Sequence, residues 1–341
     1  MQFFDVVIIG AGPGGLKCAE TLGNSSLKVL VLEKNEVIGP KVCAGGLTGK
    51  DIEILNLPSD IVEYSFNHVK LHVNHCTTTI KSKDNFGFTI DRHDFGQWQL
   101  HKLEAFPNIE VRTSSKVSEI TKEYVVVNGE QIGYKHLVGA DGSNSMVRRY
   151  LGIEISQVNL CLQYIIPTDQ YNEMEMFFKP KYFSAWYTWI FPHHGYVSIG
   201  CGANPKYLSG KALKDNFHRW LKERNIDVTN GRYEAFPMNT DYQGMNFGYA
   251  FLVGDAAGLA SPFTGEGIYQ ALISGEEVAK TILDPSYESD KMSGILSKHA
   301  RHQQHIDQLT NAGRFKTLIL LAGQLAMKIP KYAQRGINSL A

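Results

Sequence analysis

Asp5-Val6-Val7-Ile8-Ile9-Gly10-Ala11-Gly12-Pro13-Gly14-Gly15-Leu16 decides the reading of this chain. The run from Asp5 to Ile9 is short, continuous and apolar, the form of a parallel strand buried on both faces. Gly10, Gly12 and Gly15 then fill a Gly-x-Gly-x-x-Gly spacing. The first permits a tight turn, the second lets a pyrophosphate approach the backbone, and the third lets helix and strand pack closely. Gly14 to Leu22 reads as the helix that follows, and Lys28 to Leu32 as a second buried strand. Glu33 closes that strand about 20 residues beyond the glycines, where a carboxylate can bind ribose hydroxyls. The glycines alone would be a weak signal; the order strand, turn, helix, strand, carboxylate makes a dinucleotide-binding βαβ unit.

At 341 residues the chain is longer than one usual core and predicts about two domains. Lys+Arg and Asp+Glu both number 34, so no net field draws it to nucleic acid or anionic lipid. The five cysteines are scattered and lack Cys-x-x-Cys pairs, which argues against a disulfide framework or zinc site and for a reducing, cytoplasmic compartment. The apolar opening has no basic flank and runs straight into the glycine turn, unlike a signal peptide. Leu318 to Ile329 is too short to span a bilayer and is interrupted by Gln324 and Lys328.

The polar stretch Asn35 to Thr48 reads as a functional loop. Alternation from Val69 to Ile90 suits half-wet strands, Asp91 an N-cap for the helix carrying Phe95 to Leu103, and Asn128-Gly129 a hairpin turn. Ile155 to Tyr242 is rich in aromatics and strand formers, with a helix at Gly210 to Glu223. These patterns predict an α/β protein. Residues 1–62, 91–154 and 246–290 form a Rossmann-like binding domain, 63–90 and 155–245 an inserted antiparallel β-sheet substrate domain, and 291–341 a helical C-terminal tail.

Two later motifs follow apolar strands: Gly139-Ala140-Asp141-Gly142-Ser143 and Leu252-Val253-Gly254-Asp255-Ala256-Ala257-Gly258. Their order and spacing resemble the para-hydroxybenzoate hydroxylase fold of flavoproteins, which implies bound FAD. By that resemblance Asp255 meets the ribityl and pyrophosphate region and the Asp141 motif lies beside the dinucleotide. Asp91-Arg92-His93-Asp94-Phe95 resembles an Asp-Arg-x-x-Phe stretch whose arginine reaches the phosphates, although an ordinary surface helix start reads almost as well. Pro262-Phe263-Thr264-Gly265-Glu266-Gly267-Ile268 precedes a helix whose free amides suit the flavin pyrimidine edge. The cofactor set so drawn is Gly10, Gly12, Pro13, Gly14, Gly15, Glu33, Lys34, Cys43, Ala44, Gly45, Gly46, Arg92, Val117, Asp141, Gly142, Gly254, Asp255, Gly265, Gly267 and Ile268.

The loop Lys41-Val42-Cys43-Ala44-Gly45-Gly46-Leu47, the Gly265-Glu266-Gly267-Ile268 turn, and Tyr187-x-Trp189-x-Phe191-Pro192 before Val197-x-Ile199-Gly200-x-Gly202 resemble the geranylgeranyl reductase family. The resemblance implies that the cysteine loop lies near the flavin and that the aromatic strand lines a prenyl cavity. Ser184 departs from a usual proline and His193 from a frequent lysine, and the tail is short. Tyr187, Trp189 and Phe191 alternate and so share a face, which equally suits a domain core. Cys43 equally suits a small buried apolar residue.

The implied activity is FAD-dependent saturation of carbon–carbon double bonds in a prenyl or similar apolar substrate. Cys43, Tyr187 and Trp189 are the catalytic candidates, and Tyr187, Trp189 and Phe191 the substrate contacts. The electron donor is NADPH or a reduced carrier, and no second glycine unit marks a nicotinamide site. A monooxygenase or halogenase on the same fold, or a non-catalytic flavin-containing lipid-binding protein, are the rival readings; Tyr187 stands where halogenases carry the first Trp of Trp-x-Trp-x-Ile-Pro. His299, His302 and His305 drift off one helix face, so no metal is expected. Leu318, Leu321, Leu325 and Ile329 recur at helical spacing with Lys316, Lys328, Lys331 and Arg335 at or near the ends. That stripe fits a packed helix, the more ordinary case, or a helix in peripheral contact with a membrane.

Overall fold

The computed structural model describes residues 1–340, with the side chains of Pro330, Arg335 and 338–340 outside the described set. The opening strand Gln2–Ile9 lies between Val29–Leu32 and Glu130–Gly139, parallel to both. Ile109–Arg112 and Ala250–Leu252 extend the parallel sheet on either side. Val6, Val7 and Ile8 are fully buried, as a strand covered on both faces requires. Val117–Ile120, Tyr124–Val127 and Glu130–Gly139 make an antiparallel meander whose Asn128–Gly129 turn takes positive φ at both residues.

The helix Pro13–Leu22 starts on a proline, where no amide is needed, and crosses the helix Ile268–Leu283 at close range. A methyl group built on Gly275 would lie 2.1 Å from the Gly14 carbonyl oxygen, so only glycine permits this approach.

A second sheet runs in the order Arg232–Asn239, Val158–Pro167, Tyr196–Ala203, Thr188–His193, Glu175–Phe178, His68–Val73, Cys76–Lys81. Every neighbouring pair is antiparallel except one: Glu175–Phe178 runs parallel to His68–Val73. That exception corrects the wholly antiparallel expectation, because the hairpin from the early sequence joins from across the molecule. The helix Gly210–Glu223 covers one face with Leu213, Phe217, Trp220 and Leu221, at helical spacing and essentially inaccessible. The last three residues of the expected loop, Gly46–Thr48, form a strand with Gly87–Thr89 and Tyr64–Phe66.

The two large sheets are tied by Arg148, which is fully buried, pairs with Asp241 at 3.2 Å and donates to the Glu154 carbonyl at 3.1 Å. The helices Asp290–Asn311, Lys316–Ala326 and Pro330–Leu340 end the chain. Gln324 Nε2 donates to the Leu71 and Cys76 carbonyls at 2.9 Å, fastening the second of these to the edge hairpin. No helix among the described residues is long and apolar enough to cross a membrane.

Candidate active site

A cleft of about 280 Å³ runs between the glycine turns of the parallel sheet and the exposed face of the second sheet. On the parallel-sheet side, Gly10 holds φ +104° so that the chain can leave the first strand and enter the helix. Glu33 accepts from the Ala11 amide at 2.9 Å and from the Asn35 amide at 3.0 Å, which fixes its carboxylate beside the turn. Asp255 accepts from Lys41 Nζ at 3.0 Å and from the Ser143 hydroxyl at 3.1 Å.

The residues fit a dinucleotide on observations of their own. Arg92 lines the cleft, and its Nε is buried without a partner. A methyl group built on Gly142 would meet nothing within 4 Å, so the backbone there borders an open shelf. Gly265, Glu266, Gly267 and Ile268 also line the cleft, the last opening the Ile268–Leu283 helix. That helix begins at Ile268, so the turn before it stays non-helical, with Gly265 at φ +72°.

The loop carrying Cys43 is held by the second sheet. Gln163 Nε2 donates to the Cys43 carbonyl at 3.2 Å, and His193 Nε2 lies 3.0 Å from the Ala44 carbonyl. The other His193 nitrogen is 2.5 Å from a Glu63 carboxylate oxygen, and the ring stacks on Tyr196 at 4.4 Å. Both ring nitrogens lie within hydrogen-bond distance of an oxygen, so the ring spans from Glu63 to the loop. The Cys43 sulfur accepts from the Gly45 amide at 3.4 Å.

Tyr187, Trp189 and Phe191 all line the cleft, with centroids about 6.3 and 6.4 Å apart along the row. The core of their sheet lies on the opposite face, where Ile190, Val197, Ile199 and Cys201 pack under the Gly210–Glu223 helix. Trp189 Nε1 donates to Ser198 Oγ at 3.0 Å, which in turn donates to Gln163. The Tyr187 hydroxyl donates to the Thr264 carbonyl, and burial raises its pKa well above the phenol range. Met174, Met176 and Phe86 extend the apolar wall.

Two acids in the cleft went unassigned in the sequence. Glu266 is pushed up to about 7, first by burial and against the pull of Lys298. Asp51 is pushed up to about 6 by burial; its Oδ2 closes a capping box with Thr48, while its Oδ1 is buried without a partner. Asp51 sits three residues after a threonine at a helix start, the one sequence sign that could have marked it.

Several expected residues sit apart from the cleft lining. Asp141 Oδ2 caps the Met146–Tyr150 helix, accepting from Met146 at 2.6 Å, and its Oδ1 is buried without a partner. Val117 packs in the core under the parallel sheet and Lys34 is exposed. Gly15 packs against the Gly10 carbonyl. His299, His302 and His305 are not grouped closely enough to share an ion; among the described residues Asp91, His93 and Asp94 are, and Asp91 already caps its helix.

The model of the FAD binding domain matches residues 100–312 and that of the pyridine nucleotide-disulphide oxidoreductases residues 4–173. An uncharacterised protein of Methanosarcina barkeri is 31% identical over 324 residues, covering 90% of this chain and 81% of its own. A digeranylgeranylglycerophospholipid reductase of Methanocaldococcus jannaschii is 28% identical over 306 residues, covering 82% and 78%. The solved structure of a geranylgeranyl bacteriochlorophyll reductase-like protein from Thermoplasma acidophilum superposes with TM-score 0.77 at 20% identity, covering 99% of this chain and 100% of that one. The flavin-dependent brominase Bmp2 superposes with TM-score 0.74 at 18% identity, covering 99% and 93%. At those identities the two structures share the fold alone.

Proposed function

Because this chain belongs to the geranylgeranyl reductase family of FAD-dependent oxidoreductases, we propose that it saturates carbon–carbon double bonds of a prenyl chain. The observation that carries this reading is the aromatic row Tyr187, Trp189 and Phe191, turned away from its own core and into the cleft that the FAD residues border. An apolar wall with few polar groups is what an unfunctionalised chain needs.

FAD, when bound, supplies the hydride. Glu33, Arg92 and Asp255 hold the dinucleotide, and the turn from Gly265 to Ile268 takes the flavin end. An isolated alkene has no carbonyl to polarise, so its reduction couples protonation at one carbon to hydride addition at the other. The ring faces of Tyr187 and Trp189 lower the energy of positive charge at the substituted carbon. Cys43, positioned by Gln163 and His193 through its loop, and Glu266 with Asp51, which hold protons into the neutral range, are the proton sources bordering the cleft. The electron donor is NADPH or a reduced carrier.

The halogenase and monooxygenase reading shares this fold, so the fold does not decide between them. The cleft favours reduction: where halogenases carry a tryptophan, Tyr187 spends its hydroxyl on the Thr264 carbonyl. The deciding experiment is anaerobic: the photoreduced protein is mixed with geranylgeranyl substrates and the flavin spectrum followed. Reoxidation with saturated product by mass spectrometry supports the proposal. No reoxidation under these conditions, followed on admitting oxygen by reoxidation with a hydroxylated or halogenated product, overturns it.

We also place the tail helix Lys316–Ala326 at a membrane surface, as a delivery route for the substrate. Leu318 is 61% and Leu325 64% exposed, with Phe315 and Ile329 exposed beside them, so the stripe is not spent on the core.

A further inference from the structure

A second cavity, of about 240 Å³, adjoins the active cleft, and Tyr269 lines both. The helix Asp290–Asn311 supplies one wall with Lys291, Lys298 and His302, and Lys50 faces them from the helix Gly49–Leu55. No carboxylate lines this cavity among the described residues. Arg92, Asp255 and the turn from Gly265 to Ile268 line the first cleft, and none of the residues assigned to FAD lines this one.

The cations are incompletely compensated. Lys291 is 3.2 Å from Glu276, which Lys280 already holds at 2.5 Å. Lys298 is 3.4 Å from Glu266, an acid that burial keeps largely protonated up to about 7. Lys50 has no ion-pair partner among the described residues; its ammonium lies 5.8 Å from the Tyr269 ring centre. Burial, and then the charge of Lys298, make the Lys50 ammonium easier to deprotonate, against the smaller opposing pull of Glu266, Asp51 and Glu53.

The polar lining has unused capacity as well. Gln270 is 5% exposed with its Oε1 unpartnered, and the buried His299 Nε2 also lacks a partner. An amide presents either end, so Gln270 can donate. His302, neutral down to about 4 because burial and nearby cations oppose its charge, shares one nitrogen with Ser261 at 2.8 Å.

We propose that this second cavity binds a phosphate or diphosphate group. Clustered ammonium groups with neutral donors around them, in a partly enclosed space, are suited to a compact multivalent anion. The group can belong to the head of a substrate whose chain lies in the first cleft, or to a separate phosphate ligand. The binding itself does not rest on the alkene-reduction reading, since it is measured without turnover.

The test uses the FAD-loaded protein and inorganic pyrophosphate, by calorimetry at fixed ionic strength. Wild type and Lys50→Arg are expected to bind. Lys50→Gln is expected to bind roughly tenfold more weakly, with the flavin spectrum and melting temperature unchanged. Competition separates the sources: if pyrophosphate displaces geranylgeranyl diphosphate but leaves geranylgeraniol binding unaffected, the cavity takes the substrate head. If it binds without competing with either, the ligand is a separate phosphate. No binding by wild type at millimolar pyrophosphate, or equal binding by wild type, Lys50→Gln and the Lys50→Gln/Lys298→Gln double variant, overturns the proposal.

Discussion

His193 Nδ1 lies 2.5 Å from Glu63 Oε2, joining residues 130 positions apart through a side chain that is 1% exposed. Through its other nitrogen the same ring carries the Ala44 carbonyl, so the pair is a strut under the Cys43 loop. Glu63→Ala leaves a buried imidazole nitrogen without its hydrogen-bond partner and is expected to destabilise the protein by about 1–3 kcal/mol. Urea unfolding measures this. A variant within experimental error of wild type would show that the strut carries no load.

Glu33→Arg puts a cation where the ribose needs an acceptor and breaks the bond from the Ala11 amide. FAD affinity is expected to fall at least a hundredfold, since both an attraction and a backbone brace are lost. Flavin retention through gel filtration and fluorescence titration report it. Purification with full FAD content would exclude Glu33 from the cofactor site.

Cys43→Ala keeps the carbonyl that Gln163 holds, because that contact is to the backbone. FAD content is therefore expected to stay unchanged while alkene reduction falls roughly a hundredfold. Single-turnover flavin reoxidation separates the two effects. Unchanged turnover at saturating substrate would make Cys43 a packing residue.

Glu266 binds its proton more tightly in the folded protein, at about 7, than at the ordinary 4.5. The contribution of Glu266 to stability is thus greatest below 4.5 and falls as pH rises toward about 7, the reverse of a salt-bridged carboxylate. The side chain is about 20% exposed, so the loss is on the order of 3 kcal/mol at most. Glu266→Gln should flatten this slope in urea titrations across the window. A slope that survives the substitution belongs to other groups.

For the tail, vesicle flotation compares the full chain with Leu318→Glu/Leu325→Glu. Both positions are more than half exposed, so the variant should fold normally and lose vesicle binding. If wild type does not float, the membrane contact fails.

The parallel sheet was legible because its strands are continuous apolar runs punctuated by glycine, although the opening strand begins at Gln2, three residues before the expected Asp5. The direction of the aromatic row was not legible: Tyr187, Trp189 and Phe191 alternate, but alternation does not say which face of a sheet meets a helix. The decision lies with Leu213, Phe217 and Trp220, which claim the other face. Likewise Glu63 and Gln163 are unremarkable in sequence, His193 shows there only as a departure from a frequent lysine, and all three meet the loop only through the fold. The two raised acids escaped notice because burial, not residue type, shifts them.

The parallel pairing of His68–Val73 with Glu175–Phe178 also bears on how the chain is made. As the polypeptide emerges from the ribosome, the hairpin is complete while its partner strand lies roughly a hundred residues away, a wait of about 5–20 s at ordinary elongation speeds. During that interval the hairpin has an open edge and an uncovered apolar side, and the first strand of the chain likewise awaits Glu130–Gly139. Neither sheet can close on its own segment. The nascent protein therefore carries unpaired strand edges until those partners are made, and refolding the finished chain from denaturant should be slower than its size alone suggests.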